Sequence, residues 1–135
     1  MAGRATGIGG VFLKFKDPDG MKKWYSDVLS LDANEYGILF TYQPREKKSY
    51  LQLGTFPETS DYFGKSEQRC MINFHVDSMS ALIEVLKEKG VKILGEPQVY
   101  DYGTFLHIED PEGNKIELWE PAGDSFDNEK QNDAN

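Results

Sequence analysis

The stretch Phe105-Leu106-His107-Ile108-Glu109-Asp110-Pro111-Glu112-Gly113-Asn114-Lys115-Ile116-Glu117-Leu118-Trp119 reads as two strands joined by a tight turn, and its register decides the fold. Gly113 supplies the left-handed residue of a three-residue hairpin loop, which sets Asp110 opposite Asn114. Counting outward, Leu106 and Ile108 share an apolar face with Leu118 and Ile116. On the other face Phe105 opposes Trp119 and His107 opposes Glu117. A slip of one residue would mix the two faces. The apolar face is expected to pack beneath helices. The other is expected to line a concavity, an aromatic-walled pocket holding one carboxylate and one imidazole.

Upstream, Ile72, Phe74 and Val76 alternate with Met71, Asn73 and His75, so the latter three fall on the face away from the helix that follows. Ser78 can cap that helix, which carries Met79, Leu82, Ile83 and Leu86 at helical spacing and ends at Gly90. The same order stands near the N-terminus. Val11, Leu13 and Phe15 form the core face of a strand, with Gly10, Phe12 and Lys14 opposite. Asp17 caps and Pro18 opens a helix with Met21, Trp24, Tyr25, Val28 and Leu29 on its apolar side. The chain therefore contains an internal repeat.

Strand-like runs follow each helix, at 36–42 and 49–54 in the first half and at 91–94, 102–109 and 115–119 in the second. A weaker one at 31–34 gives each half the order βαβββ. The fold class expected is α+β: two such modules forming a cupped, mostly antiparallel eight-stranded sheet with helices on its outer face. One domain over 1–122 is expected, with module one at about 7–56, a connecting loop at 57–69 and module two at 70–121. Tyr62 and Phe63 in that loop either anchor it or fold back over a cavity. Residues 123–135 carry Asp124, Asp127, Glu129 and Asp133 against Lys130 and read as an acidic disordered tail.

Fifteen basic residues against 23 acidic ones give a net charge of −8, which opposes binding to nucleic acid or anionic membranes. No apolar run approaches the length of a membrane span, and the first residues lack the apolar stretch of a signal peptide. With Cys70 the sole cysteine, no internal disulfide can form, which fits a cytoplasmic protein.

Gly9-Gly10-Val11-Phe12-Leu13-Lys14-Phe15-Lys16-Asp17, Trp24-Tyr25-Ser26-Asp27-Val28-Leu29, Met71-Ile72-Asn73-Phe74-His75-Val76-Asp77 and the closing 110–119 stretch together resemble the vicinal-oxygen-chelate superfamily of glyoxalases, bleomycin-resistance proteins and extradiol dioxygenases. The resemblance runs from about Gly7 to Pro121. It implies that metal-using members draw ligands from the first and last strand of each module, often His, Glu, His and Glu. Carried over by position, these fall on Gly10, Gln52, Met71 and Glu117. Glycine offers no donor, a thioether is soft and an amide oxygen weak, so only Glu117 suits zinc or iron. His75, His107 and Glu117 are the residue types of a two-histidine, one-carboxylate site. However, His75 lies four residues beyond Met71, about 13 Å along an extended strand.

No cofactor is therefore expected, and a divalent metal at Glu117, His107 and His75 is the alternative. The reading is a glyoxalase/bleomycin-resistance-like protein that binds a small molecule. Glu117 and His107 are the candidate catalytic or anchoring pair, and Phe12, Gln52, Asn73, His75, Phe105 and Trp119 the candidate ligand contacts. A lyase, isomerase or dioxygenase using Glu117 is the enzymatic alternative. A partner-binding domain whose cup is filled by Phe12, Tyr42, Phe105 and Trp119 is a third. The resemblance also implies a homodimer.

Overall fold

The computed structural model describes residues 3–42 and 49–122, without the side chains of Tyr42 and Ser49, so the expected tail at 123–135 lies outside them. The element order is β1 (Ala5–Phe15), α1 (Pro18–Leu29), β2 (Ala33–Asn34), β3 (Gly37–Tyr42), β4 (Ser49–Pro57), β5 (Cys70–Val76), α2 (Met79–Glu88), β6 (Lys92–Tyr100), β7 (Gly103–Glu109) and β8 (Lys115–Pro121). This is βαβββ twice, an α+β fold. Hydrogen bonds join the eight strands in an open, mostly antiparallel sheet, in which β1 and β4 run parallel.

The described residues fall into two compact units, a first at 8–73 and a second made of 3–7 with 74–122. In the first, β3 and β4 form an antiparallel pair and Gly10 of β1 lies opposite Gln52 of β4. The Asp17 carboxylate accepts from the Gly20 amide at 3.0 Å and Pro18 opens α1. One buried cluster consists of Phe12, Phe63 and Met71, with Phe56 packed against them, and Ile38, Leu39 and Tyr50 are buried as well.

Two expectations for this unit are corrected. The apolar side of α1 is not buried: no residue of the helix is, and Trp24, Val28 and Leu29 are about half exposed. Helical spacing says which side chains share a face, but it does not supply something to cover that face. On β1 the deeper burial falls on Phe12 and Lys14 rather than on Val11, Leu13 and Phe15. The reason is the 57–69 loop, which brings Phe63 in over them as a fully buried side chain.

In the second unit, α2 starts at Ser78, whose hydroxyl accepts from the Ala81 amide, and the Met79 amide donates to the Glu120 carboxylate. Gly90, at φ 70°, follows the helix. Met79, Leu82 and Leu86 pack on Val76, Leu106 and Leu118. Each such side chain, fully buried, contributes about 1.5–3 kcal/mol. The closing hairpin has the expected register throughout, with Leu106↔Leu118, Ile108↔Ile116, Phe105↔Trp119 and His107↔Glu117. Gly113 sits at φ 85° and Asp110 donates its amide to the Asn114 carbonyl at 2.9 Å. The Asp110 carboxylate accepts from the Asn114 side chain at 3.0 Å and from the Asn114 and Glu112 amides at 2.9 Å each, which holds its pKa below the usual carboxylate value.

Strand β6 is longer than the expected 91–94 run. The ladder shifts register between Leu94 and Gln98, and Gly95 (φ 83°), Glu96 and Pro97 are absorbed in the irregularity before pairing with β7 resumes.

Candidate functional site

Alternation along β7 and β8 sends His107, Phe105, Glu117 and Trp119 to the face opposite Leu106 and Leu118. There His107 Nε2 lies 2.8 Å from Glu117 Oε2, with the carboxylate side chain 2% exposed and the imidazole 12%. The two side chains share a hydrogen bond across the hairpin. Beside the pair, Phe105 and Trp119 stack at 5.7 Å with an interplanar angle of 8°. His75 leans on the other side of Trp119, ring centroids 4.8 Å apart. Tyr102 and Tyr100, both edge-on to Phe105 and stacked on each other, extend the aromatic face.

Gly103 is what lets the indole lie down. It has φ 143°, and a Cβ there would stand 2.5 Å from Trp119 Nε1, the atom that donates to the Tyr102 carbonyl at 3.1 Å. The sequence reading thus located five of these residues and missed Tyr100 and Tyr102. Their signal was aromatic density at the β6–β7 turn.

His75 Nε2 is buried and has no hydrogen-bond partner among the described residues, and burial holds the imidazole's pKa below its ordinary 6.5. The unfolded chain therefore takes up this proton first as pH falls. Stability is fully present above pH 6.5 and is lost as pH drops from there through the folded-state pKa. The melting temperature of wild type should fall more between pH 7.5 and 5.5 than that of His75→Phe. Equal falls would show that His75 titrates alike in both states.

Phe12, Gln52 and Asn73 belong to the first unit. Phe12 lies against Phe56 at 5.3 Å, Asn73 is fully buried on β5, and Gln52 donates from Nε2 to the Leu53 carbonyl at 3.4 Å. A residue not singled out by the sequence reading stands here too. Lys14 is 5% exposed, with Nζ 5.1 Å above the Phe63 ring.

The family model described as the Glyoxalase/Bleomycin resistance protein/Dioxygenase superfamily matches residues 7–118. The chain belongs to this superfamily. Among solved superfamily-like folds, methylmalonyl-CoA epimerase from Streptomyces coelicolor, in complex with 2-nitronate-propionyl-CoA, is similar with a TM-score of 0.69 and 15% identity. That match covers 89% of this chain and 100% of that one. The methylmalonyl-CoA epimerase from Mycobacterium tuberculosis is similar with a TM-score of 0.63 and 19% identity, over 91% and 93%. At such identities the likeness is one of fold. A curated relative, the uncharacterized protein YetH of Bacillus subtilis (strain 168), is 33% identical over 57 residues, 42% of this chain and 48% of that protein. The match thus spans about half the length of that relative.

Superfamily members often use a divalent metal, and the residues at the corresponding positions do not fit one. A Cβ on Gly10 would meet the Gln52 carbonyl oxygen and the Phe12 ring, each at 2.8 Å, so room for a ligand side chain is not kept. Met71 is fully buried in the apolar cluster with Phe12 and Phe63. Glu117 is engaged by His107. For the alternative set, His75 lies against Trp119, and among the described residues no three His, Cys, Asp or Glu side chains are grouped to hold a metal ion. No described helix is long and apolar enough to cross a membrane.

Proposed function

We propose that this superfamily member binds a small, partly aromatic organic molecule on the face formed by Phe105, Trp119, Tyr102 and His75, with Glu117 and His107 as the polar anchor and without a metal. The observation that carries this reading is a glutamate whose side chain is 2% exposed, hydrogen-bonded to an imidazole and flanked by stacked rings. A carboxylate has about four acceptor positions and holds a hydroxyl, amide or protonated nitrogen directionally. The rings supply the apolar area that binding uses. Gln52, Phe12 and Asn73 remain candidate ligand contacts within the first unit. We place the protein in the cytoplasm as a one-domain chain of two modules acting as a homodimer, with neither nucleic acid nor membrane as partner.

A thermal-shift screen of small thiols, oxo-acids, catechols and antibiotics tests the reading, because a molecule that binds only the folded state raises its stability. At least one class is expected to raise the melting temperature of wild type and to raise that of Glu117→Gln much less. Equal shifts in both proteins, or none in wild type, would overturn it.

The same buried carboxylate supports an enzymatic reading as a lyase, isomerase or dioxygenase, of which an isomerase, with Glu117 removing a proton next to a carbonyl, suits the epimerases of like fold. Glu117-dependent incorporation of deuterium from D2O into an acyl thioester distinguishes this from binding alone.

A further inference from the structure

The first unit contains a charged group for which the reading above has no use. Lys14 projects from β1 on the side of Phe12 and is 5% exposed, so little of the residue reaches water. Among the described residues, Nζ touches only the Phe63 ring at 5.1 Å and the Ser66 carbonyl at 3.5 Å, the outer limit of a hydrogen bond. An ammonium carries three donors, and its burial is costly unless an anion or several acceptors compensate it. A ring face offsets part of that cost, about 0.5–2 kcal/mol. No described carboxylate forms an ion pair with it. Glu67 attracts Lys14 only at long range and least among its own interactions, because its side chain is exposed and its carboxylate is held first by its own amide and by the Ser66 hydroxyl at 3.2 Å.

We propose that Lys14 anchors a binding site of the first unit for a small carboxylate carried on an aromatic or apolar body. The carboxylate supplies the missing counter-charge and two acceptors. The body fits the rings beside it, where Phe56 packs edge-on to Phe63 at 5.0 Å and stacks on Tyr62 at 5.6 Å and 10°. Tyr62 is 36% exposed and gives this wall a solvent edge. One ammonium neutralises one charge, which matches a monoanionic carboxylate; a phosphate dianion is usually met by arginine forks. The site involves neither Glu117 nor His107.

Phenylacetate titrated into the full chain, with phenylacetamide as its neutral isostere, tests this by calorimetry and by the lysine ε-methylene resonances. Saturable phenylacetate binding is expected, weakened at least tenfold in Lys14→Gln, kept within a few-fold in Lys14→Arg, and absent for phenylacetamide. The Lys14 resonance should move while those of Lys22 and Lys23 stay, a readout that stands even where Lys14→Gln fails to fold. Absence of saturable binding, equal affinity in Lys14→Gln, equal binding of phenylacetamide, or movement of surface lysines alone would overturn the proposal. In particular, a Lys14→Gln protein that merely melts earlier, with phenylacetate affinity unchanged, would show that Lys14 does no more than hold the loop.

Discussion

His107→Ala is expected to destabilise the fold by about 3 kcal/mol, more than Glu117→Gln, in urea denaturation at neutral pH. Glu117 is 1% exposed and its Oε2 lies 2.8 Å from the imidazole that the substitution deletes. A carboxylate deprived of that contact keeps the cost of its desolvation, whereas a glutamine amide in the same volume carries no charge to compensate. The two substitutions combined should therefore cost less than their separate costs added, with a coupling of about 1 kcal/mol or more. Additivity within about 0.5 kcal/mol would show that the pair is not an energetic unit.

Gly10→Ala should cost about 1–3 kcal/mol, as overpacking does elsewhere. The new methyl carbon would stand 2.8 Å from the Gln52 carbonyl, which the ladder fixes in place, and from the Phe12 ring, which is itself hemmed in by Gly54. Gly7→Ala, where nothing lies within 4 Å, is the control and should leave the melting temperature nearly unchanged. If the two variants melt alike, Phe12 yields and the position is open. If Gly10→Ala melts lower, then Gly10→His cannot rebuild a metal ligand unless Phe12 is reduced as well.

The closing hairpin was legible because turn chemistry and alternation agree. Gly113 fixes the loop, and no other register keeps Leu106 with Leu118 and His107 with Glu117. Asp17 and Ser78 were legible as caps for a similar reason: each is a local bond between neighbours in the chain. What could not be read depends on segments that meet from far apart. Alternation placed Lys14 with Gly10 and Phe12, yet a strand lysine ordinarily reads as solvated. Its burial comes from Phe63, which arrives through a loop with no periodic signal. The apolar positions of α1 gave a face without its cover. The expected 91–94 run stopped short of Pro97, whereas a proline without an amide hydrogen is tolerated in a strand where no neighbour needs one.

That last point bears on β6, which stands at the end of the strand order and pairs with β7. Its far half exposes Val99 at 77% and Tyr100 at 47%. An exposed border carrying apolar side chains is a template on which another chain can add itself, and repetition of that step is how fibrils grow. The jog at Gly95, Glu96 and Pro97 breaks the row of amides and carbonyls, inserts a negative charge and removes one donor. The chain thereby carries, within a single strand, its own guard against polymerising through its border.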